Sequence, residues 1–195
     1  SVMFQAIRAE LDEVRKAMSQ NKEVDEHQKE LLRSLEKAGK QQQMMLPDLP
    51  EVPGLEFEIL YQPMSTVSGD FYDFVKVSDK EIGLVMGDVS GHGMEAALVM
   101  SMVKKSLKIH GRGMSSAAEV LRVVNADVHE DLAQSTFCSI FYGVLDVEAK
   151  SVRFSRAGHS PLVLFNPARN PSLYPLEPKG LAVGIDKGPV FNRTL

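Results

Sequence analysis

Hydrophobic positions in the first 45 residues recur at alternating steps of three and four. Phe4, Ile7, Leu11, Val14 and Met18 form one heptad seam. The same register then meets Asn21, Asp25 and Gln28, and resumes at Leu32 and Leu35. A second seam starts at Val24 and runs through Leu31, Leu35 and Ala38, a shift that resembles a stutter. No proline interrupts before Pro47. The pattern predicts one long helix over residues 1–46, read as a parallel dimeric coiled coil because the seam is narrow and its flanks are charged. Polar layers in the seam would weaken its middle and permit more than one register.

Pro47, Pro50, Pro53 and Gly54 end the helix. Beyond them the period changes from helical to alternating. Leu55 to Tyr61 reads as a first strand, closed by Pro63. A strand running to Val77, a Ser78-Asp79-Lys80 turn and a strand ending at Asp88 follow. Residues 94–110 read as an apolar helix stopped by Gly111 and Gly113. Ser115 or Ser116 caps the next helix, which carries Val120, Leu121, Val124 and Val128. Strands are expected at 136–147, 151–158 and 161–165, before a tail rich in proline and glycine. Strands, then two helices, then strands predict an α+β domain with helices on one face of a sheet, and a second sheet would make a sandwich.

Two stretches in this pattern carry chemistry. In Ile82 to Gly93 a short apolar run ends in a lone carboxylate, Asp88, followed by the glycine-rich turn Val89-Ser90-Gly91-His92-Gly93 and a helix. Such a turn leaves room beside the carboxylate, and the helix amides beyond it favour an anion. A cation on Asp88 beside a phosphate and a simple strand–turn–helix link with Asp88 as a cap are both open here. The second stretch is Val67-Ser68-Gly69-Asp70-Phe71-Tyr72-Asp73. Two acidic turns on neighbouring strands suit one shared metal pair, and oxygen donors without Cys or His at ligand spacing favour Mg2+ or Mn2+ over Zn2+.

Other motifs fail on spacing. Residues 87–93 lack the Gly-Lys-Ser/Thr of a phosphate loop and the glycine spacing of a dinucleotide site. Ser90 does not fit a hydrolase elbow. Ser101 to Lys104 matches Ser-x-x-Lys only by chance, in mid-helix. His92 reads as a turn residue or a phosphate contact, and His159 as part of a strand-end turn. His27, His110 and His129 read as surface residues.

Ser68-Gly69-Asp70-Phe71-Tyr72-Asp73 and Gly87-Asp88-Val89-Ser90-Gly91-His92-Gly93 resemble the signature turns of PPM-type (protein phosphatase type 2C-like) serine/threonine phosphatases of the SpoIIE/RsbU branch. Gln43-Met44-Met45-Leu46-Pro47, Pro63 and Ala157-Gly158-His159-Ser160-Pro161 extend the match in order, so that it covers roughly residues 41–195. The resemblance implies an αββα sandwich phosphatase domain, preceded here by the long coiled-coil helix. It implies two Mn2+ or Mg2+ ions and an activated water that attacks phosphoserine or phosphothreonine. Asp70 and Asp88 are then the catalytic metal ligands, with the backbone carbonyl of Val89 completing one shell, and Asp73 and His92 stand in a second shell. The substrate it implies is a phosphorylated regulator protein of the anti-sigma-factor-antagonist type. An upstream sensor domain in the parent chain and a homodimer through the N-terminal helix complete the expected partners. The family carries a Thr-Asp-Gly turn and a later aspartate beyond the position of Leu195. Residues 47–195 are therefore expected to be a domain lacking its C-terminal part, with half the carboxylate set and inactive alone. The alternative is a catalytically incomplete or degenerate phosphatase-fold module that dimerises and signals, and a weaker third reading is a nucleotide switch at residues 87–93.

Composition adds boundaries. The 195 residues carry a formal net charge of −4, against the basic face usual in nucleic-acid binders. The single cysteine, Cys138, excludes an internal disulfide and suits a reducing cytoplasm, and its setting reads as a strand core position. No stretch reads as a membrane span or a signal peptide. A cytoplasmic protein, or the cytoplasmic part of a membrane-bound sensor, is expected.

Overall fold

The computed structural model describes residues 2–187 except 134, 169, 171 and 178, with side chains in the first helix described at 11, 13, 16 and from 24 onward. That helix, α1, runs Val2–Gln43. At 1.5 Å per residue its 42 residues extend roughly 63 Å. The expected seam residues Phe4, Ile7, Val14, Met18 and Asn21 lie outside the described side chains. Leu11, Val24, Leu31 and Leu32, which are described, are all more than half exposed.

A four-stranded antiparallel sheet forms the centre, in the order β1 (Phe71–Lys76), β2 (Glu81–Val89), β3 (Cys138–Asp146), β4 (Ser151–Ala157). Between β2 and β3 the chain makes α2 (Gly93–His110) and α3 (Ala117–Val128). Ser116 caps α3 by accepting the Glu119 N–H, as its sequence signature predicts. Both helices cover one sheet face. Met100, Val103, Leu107, Val120, Leu121 and Val124 pack there against Val75, Val85, Val89, Ile140 and Tyr142. Two glycines make room for the Tyr142 hydroxyl, because a Cβ on Gly83 or on Gly111 would lie 2.6 Å from it. A separate hairpin joins β5 (Leu162–Phe165) to β6 (Leu173–Leu176).

The expected strand Leu55–Tyr61 is not one. Only Leu55 makes an isolated bridge, to Val52. The alternation is real, since Leu55, Phe57, Ile59 and Tyr61 are half-buried between exposed neighbours. It comes from packing rather than from a ladder: the Phe57 ring meets Phe74 at 5.0 Å and the Tyr61 ring meets Tyr72 at 5.8 Å, edge to face. This extended segment lies over the sheet face away from the helices. Among the described residues there is one four-stranded sheet with a helix layer on one face and a separate two-stranded hairpin, and the second large sheet of the expected sandwich is not among them. No described helix is long and apolar enough to cross a membrane.

Candidate metal centre

The register of the sheet assembles the site. Phe71 pairs with Gly87 across β1 and β2, and continuing that register by one residue sets Asp70 opposite Asp88. On its other side Asp88 pairs with Ser139 of β3. Side chains alternate faces along a strand, so Asp70, Asp88 and Ser139 form one row across the sheet on the face away from the helices. Ser139 Oγ shares a 2.9 Å hydrogen bond with Nδ1 of His159, which extends the row. Asp70, Asp88 and His159 line one cavity of about 560 Å³ beneath the segment 56–62.

The turns at each end of the row are held from several sides. The Asp70 N–H donates to Ser68 Oγ at 3.1 Å, and Ser68 Oγ donates back to Asp70 Oδ2 at 3.4 Å. The Tyr61 hydroxyl donates to the Asp70 carbonyl at 3.1 Å. Val89 N–H donates to Gly69 O at 3.3 Å, and a Cβ on Gly69 would come within 2.7 Å of the Val89 carbonyl oxygen. That carbonyl therefore lies against the first acidic turn. Gly91 and Gly93 have φ of +93° and +76°, the left-handed region that glycine adopts without strain. The turn beyond Asp88 is thus a glycine turn for a backbone reason.

Electrostatically the pair is uncomfortable without a counter-charge. Burial raises the Asp88 carboxyl above the ordinary range, and the neighbouring Asp70 charge and a hydrogen bond between the two carboxyls raise it further. A hard divalent cation relieves this repulsion. Two carboxylates and a nearby carbonyl are the oxygen donors that Mg2+ and Mn2+ accept. The residues fit such an ion. Among the described residues no group of three or more His, Cys, Asp or Glu side chains gathers as a ligand cage.

Asp73, expected to support the site, faces the other side of the sheet. Asp73 is three positions from Asp70, an odd step along a strand, and its side chain turns into the helix-facing core. There it is 1% exposed and pairs with Lys104 of α2 at 2.5 Å. Lys104 also donates to the Tyr72 carbonyl at 2.9 Å. Burial lowers the Lys104 ammonium, and Asp73 offsets part of that. Asp73 is therefore a structural ion-pair partner of the helix layer. His92 is exposed at the N-cap of α2, with an extended backbone and no side-chain cap bond. His159, read from sequence as a turn residue, lines the cavity, and burial holds its imidazole below the usual value. Of the other histidines, His110 pairs with Asp127 at 3.5 Å and His129 is half-buried, so neither is a plain surface residue.

Comparison with known proteins places the chain in a family. Residues 78–194 match the family model of Stage II sporulation protein E (SpoIIE). Phosphoserine phosphatase RsbU of Bacillus subtilis (strain 168) is 33% identical over 162 residues, covering 82% of this chain and 48% of that protein. Phosphoserine phosphatase RsbP of the same organism is 26% identical over 134 residues, covering 66% of this chain and 33% of that protein. The chain thus spans about half, or less, of the length of these curated relatives. Among solved structures, the SiaA-PP2C domain of Pseudomonas aeruginosa superposes with a TM-score of 0.67. It is 20% identical and covers 86% of this chain and 67% of that one, a likeness of fold.

Proposed function

This chain belongs to the SpoIIE family, in the SpoIIE/RsbU branch of PPM-type phosphatases, and on that premise we propose that it is the catalytic part of a metal-dependent protein serine/threonine phosphatase of a bacterial signalling pathway. The observation that carries this reading is the position of Asp70 across the ladder from Asp88, one residue beyond the last regular pair, in a cavity that no lysine or arginine lines among the described residues.

Asp70, Asp88 and the Val89 carbonyl would hold Mn2+ or Mg2+, with two ions expected in the complete domain. When bound, such ions supply an acidified water as nucleophile and stabilise charge on the leaving oxygen. The chain's own residues do the rest. The two carboxylates fix where the cations sit, and Tyr61 and Ser68 hold the Asp70 turn in place. His159, bonded through Nδ1 to Ser139, would offer its other ring nitrogen to a phosphoryl oxygen of the substrate. The cavity walls of Phe57, Tyr61 and Met86 restrict water around the reacting group. His92, exposed beside the glycine turn, is a second contact for an incoming phosphopeptide.

The substrate in this reading is phosphoserine or phosphothreonine on a regulator protein of the anti-sigma-factor-antagonist type; the relatives named phosphoserine phosphatases support the phosphoserine part. In the proposed division, residues 1–46 form the control helix and 47–195 belong to an αββα phosphatase domain. The control helix pairs in parallel with a second copy and receives its signal from a sensor domain. Exposed Val24, Leu31 and Leu32 support that pairing. Phosphate release from a phosphoserine-bearing protein by the intact protein tests the activity. Turnover that needs Mn2+ or Mg2+ and is lost in Asp88→Asn agrees. Metal-independent turnover overturns the metal-based reading of Asp70 and Asp88, and no turnover with the unaltered protein leaves the dimerising scaffold instead.

A further inference from the structure

The last turn of α1 grips the loop that carries Asp70. Gln42 is 8% exposed, unusual for a glutamine on a helix whose flanking Gln41 and Gln43 are exposed. Its amide spends both ends on one peptide residue. Nε2 donates to the Ser68 carbonyl at 2.7 Å, and Oε1 accepts the Ser68 N–H at 2.9 Å. A primary amide reproduces the donor and acceptor of a backbone neighbour, so it serves Ser68 as a ladder partner would. One turn earlier the helix backbone itself touches the loop: a Cβ on Gly39 would lie 2.2 Å from the Thr66 carbonyl oxygen. Gly39 and Gln42, at i and i+3, share one helix face. Both therefore press on residues 66–68.

The hold continues to the carboxylate. The hydroxyl of Ser68, whose backbone Gln42 fixes, accepts the Asp70 N–H and donates to Asp70 Oδ2. Two hydrogen-bonded steps, Gln42 to Ser68 and Ser68 to Asp70, thus join the end of a long helix to one member of the Asp70–Asp88 pair. Burying an amide this completely costs free energy unless both ends are satisfied, so removing Gln42 leaves the Ser68 N–H and C=O unpaired in a buried setting.

We propose that Gln42 is a positioning residue for Asp70, and that the seating of the last turn of α1 sets the affinity of the Asp70–Asp88 pair for a divalent cation. This rests on the reading of that pair as the metal centre. Gln42 touches neither cation nor substrate; it acts through Ser68.

The test is calorimetric titration of Mn2+ into the protein and its Gln42→Met, Gln42→Ala, Gln43→Ala and Asp88→Asn variants, with amide hydrogen exchange at Ser68 and Asp70. Gln42→Met keeps the length and packing of the side chain, so the fold survives where Gln42→Ala disturbs it. The expected result is Mn2+ affinity weakened about 10-fold or more in Gln42→Met, the range seen for outer-shell partners. Faster exchange at Ser68 and Asp70 should accompany it, with Gln43→Ala unchanged. Unchanged Mn2+ affinity in Gln42→Met with Asp88→Asn binding none overturns the role of Gln42 and leaves the metal centre standing. Mn2+ binding that survives Asp88→Asn overturns the metal centre itself, and the proposal with it.

Discussion

Asp70 stands directly across the β1–β2 ladder from Asp88, one residue beyond the last regular pair. Like charges at directly opposed positions destabilise a sheet. Removing one of them should therefore do the reverse of an ordinary site mutation. Metal-free Asp88→Asn should melt no lower than the unaltered chain in EDTA, with a gain of about 0.2–1 kcal/mol. A clear loss of stability in that variant would mean that the two carboxylates do not repel one another.

The ion pair of Lys104 with Asp73 is the opposite case, because both side chains are at most 5% exposed. Lys104→Met should destabilise the domain by about 3–5 kcal/mol, since it strands a buried carboxylate. Adding Asp73→Asn to Lys104→Met should recover a large part of that loss. Urea unfolding of the three variants measures it. Equal losses in the single and double variants would show that packing of the lysine stem, rather than the stranded charge, dominates.

How far the sequence revealed this site depends on whether local spacing encodes it. Asp70 and Asp88 announce themselves through the glycines beside them, and the capped α3 through Ser116 and Glu119. The separation of Asp73 from the site was also legible: three residues is an odd step on a strand, and odd steps change face. The alternation of Leu55 to Tyr61 reported burial correctly, but alternation says nothing about a ladder partner, and Phe74 and Tyr72 supply an aromatic surface instead. The row Asp70–Asp88–Ser139 and the bond of Ser139 to His159 depend on the β2–β3 register across 50 intervening residues, which no local pattern contains. Gln42 was hidden for the same reason, 26 residues from Ser68.

Tyr142 gives a pH dependence. Its hydroxyl is buried without a hydrogen-bond partner among the described residues, and burial pushes the phenol well above its usual value, with Asp73 adding to the shift. The folded state then keeps this proton to higher pH than the unfolded state. The stabilisation it gives is complete below about pH 10, the unfolded value, and is lost as pH rises through the higher folded value. Tyr142→Phe should lessen the fall in melting temperature between pH 9 and 11. An identical fall in both proteins would assign the alkaline loss to other groups.

Cys138 should be inert. It is 0% exposed, and burial, then the charge of Asp88, raise its thiol far above the ordinary range. Reactivity follows the thiolate. A thiol reagent at pH 8 should modify it only on the timescale of unfolding; rapid stoichiometric labelling of the folded chain would contradict the packing of β3.

His159 is tested through substrate. His159→Ala should raise KM for a phosphoserine protein or lower kcat by about 10-fold or more if the ring contacts the phosphoryl group, with Mn2+ affinity unchanged. Ser139→Ala, which frees the ring without removing it, should have a smaller effect in the same direction. Normal kinetics in His159→Ala would make the histidine only a cavity wall.

Whether Asp70 and Asp88 together hold a divalent cation is decided by Mn2+ binding, followed by electron paramagnetic resonance, on the unaltered chain, Asp70→Asn and Asp88→Asn. Saturable Mn2+ binding is expected for the unaltered chain, lost in each single variant while the fold, judged by circular dichroism, is retained. Binding of equal affinity in all three proteins would contradict that shared site.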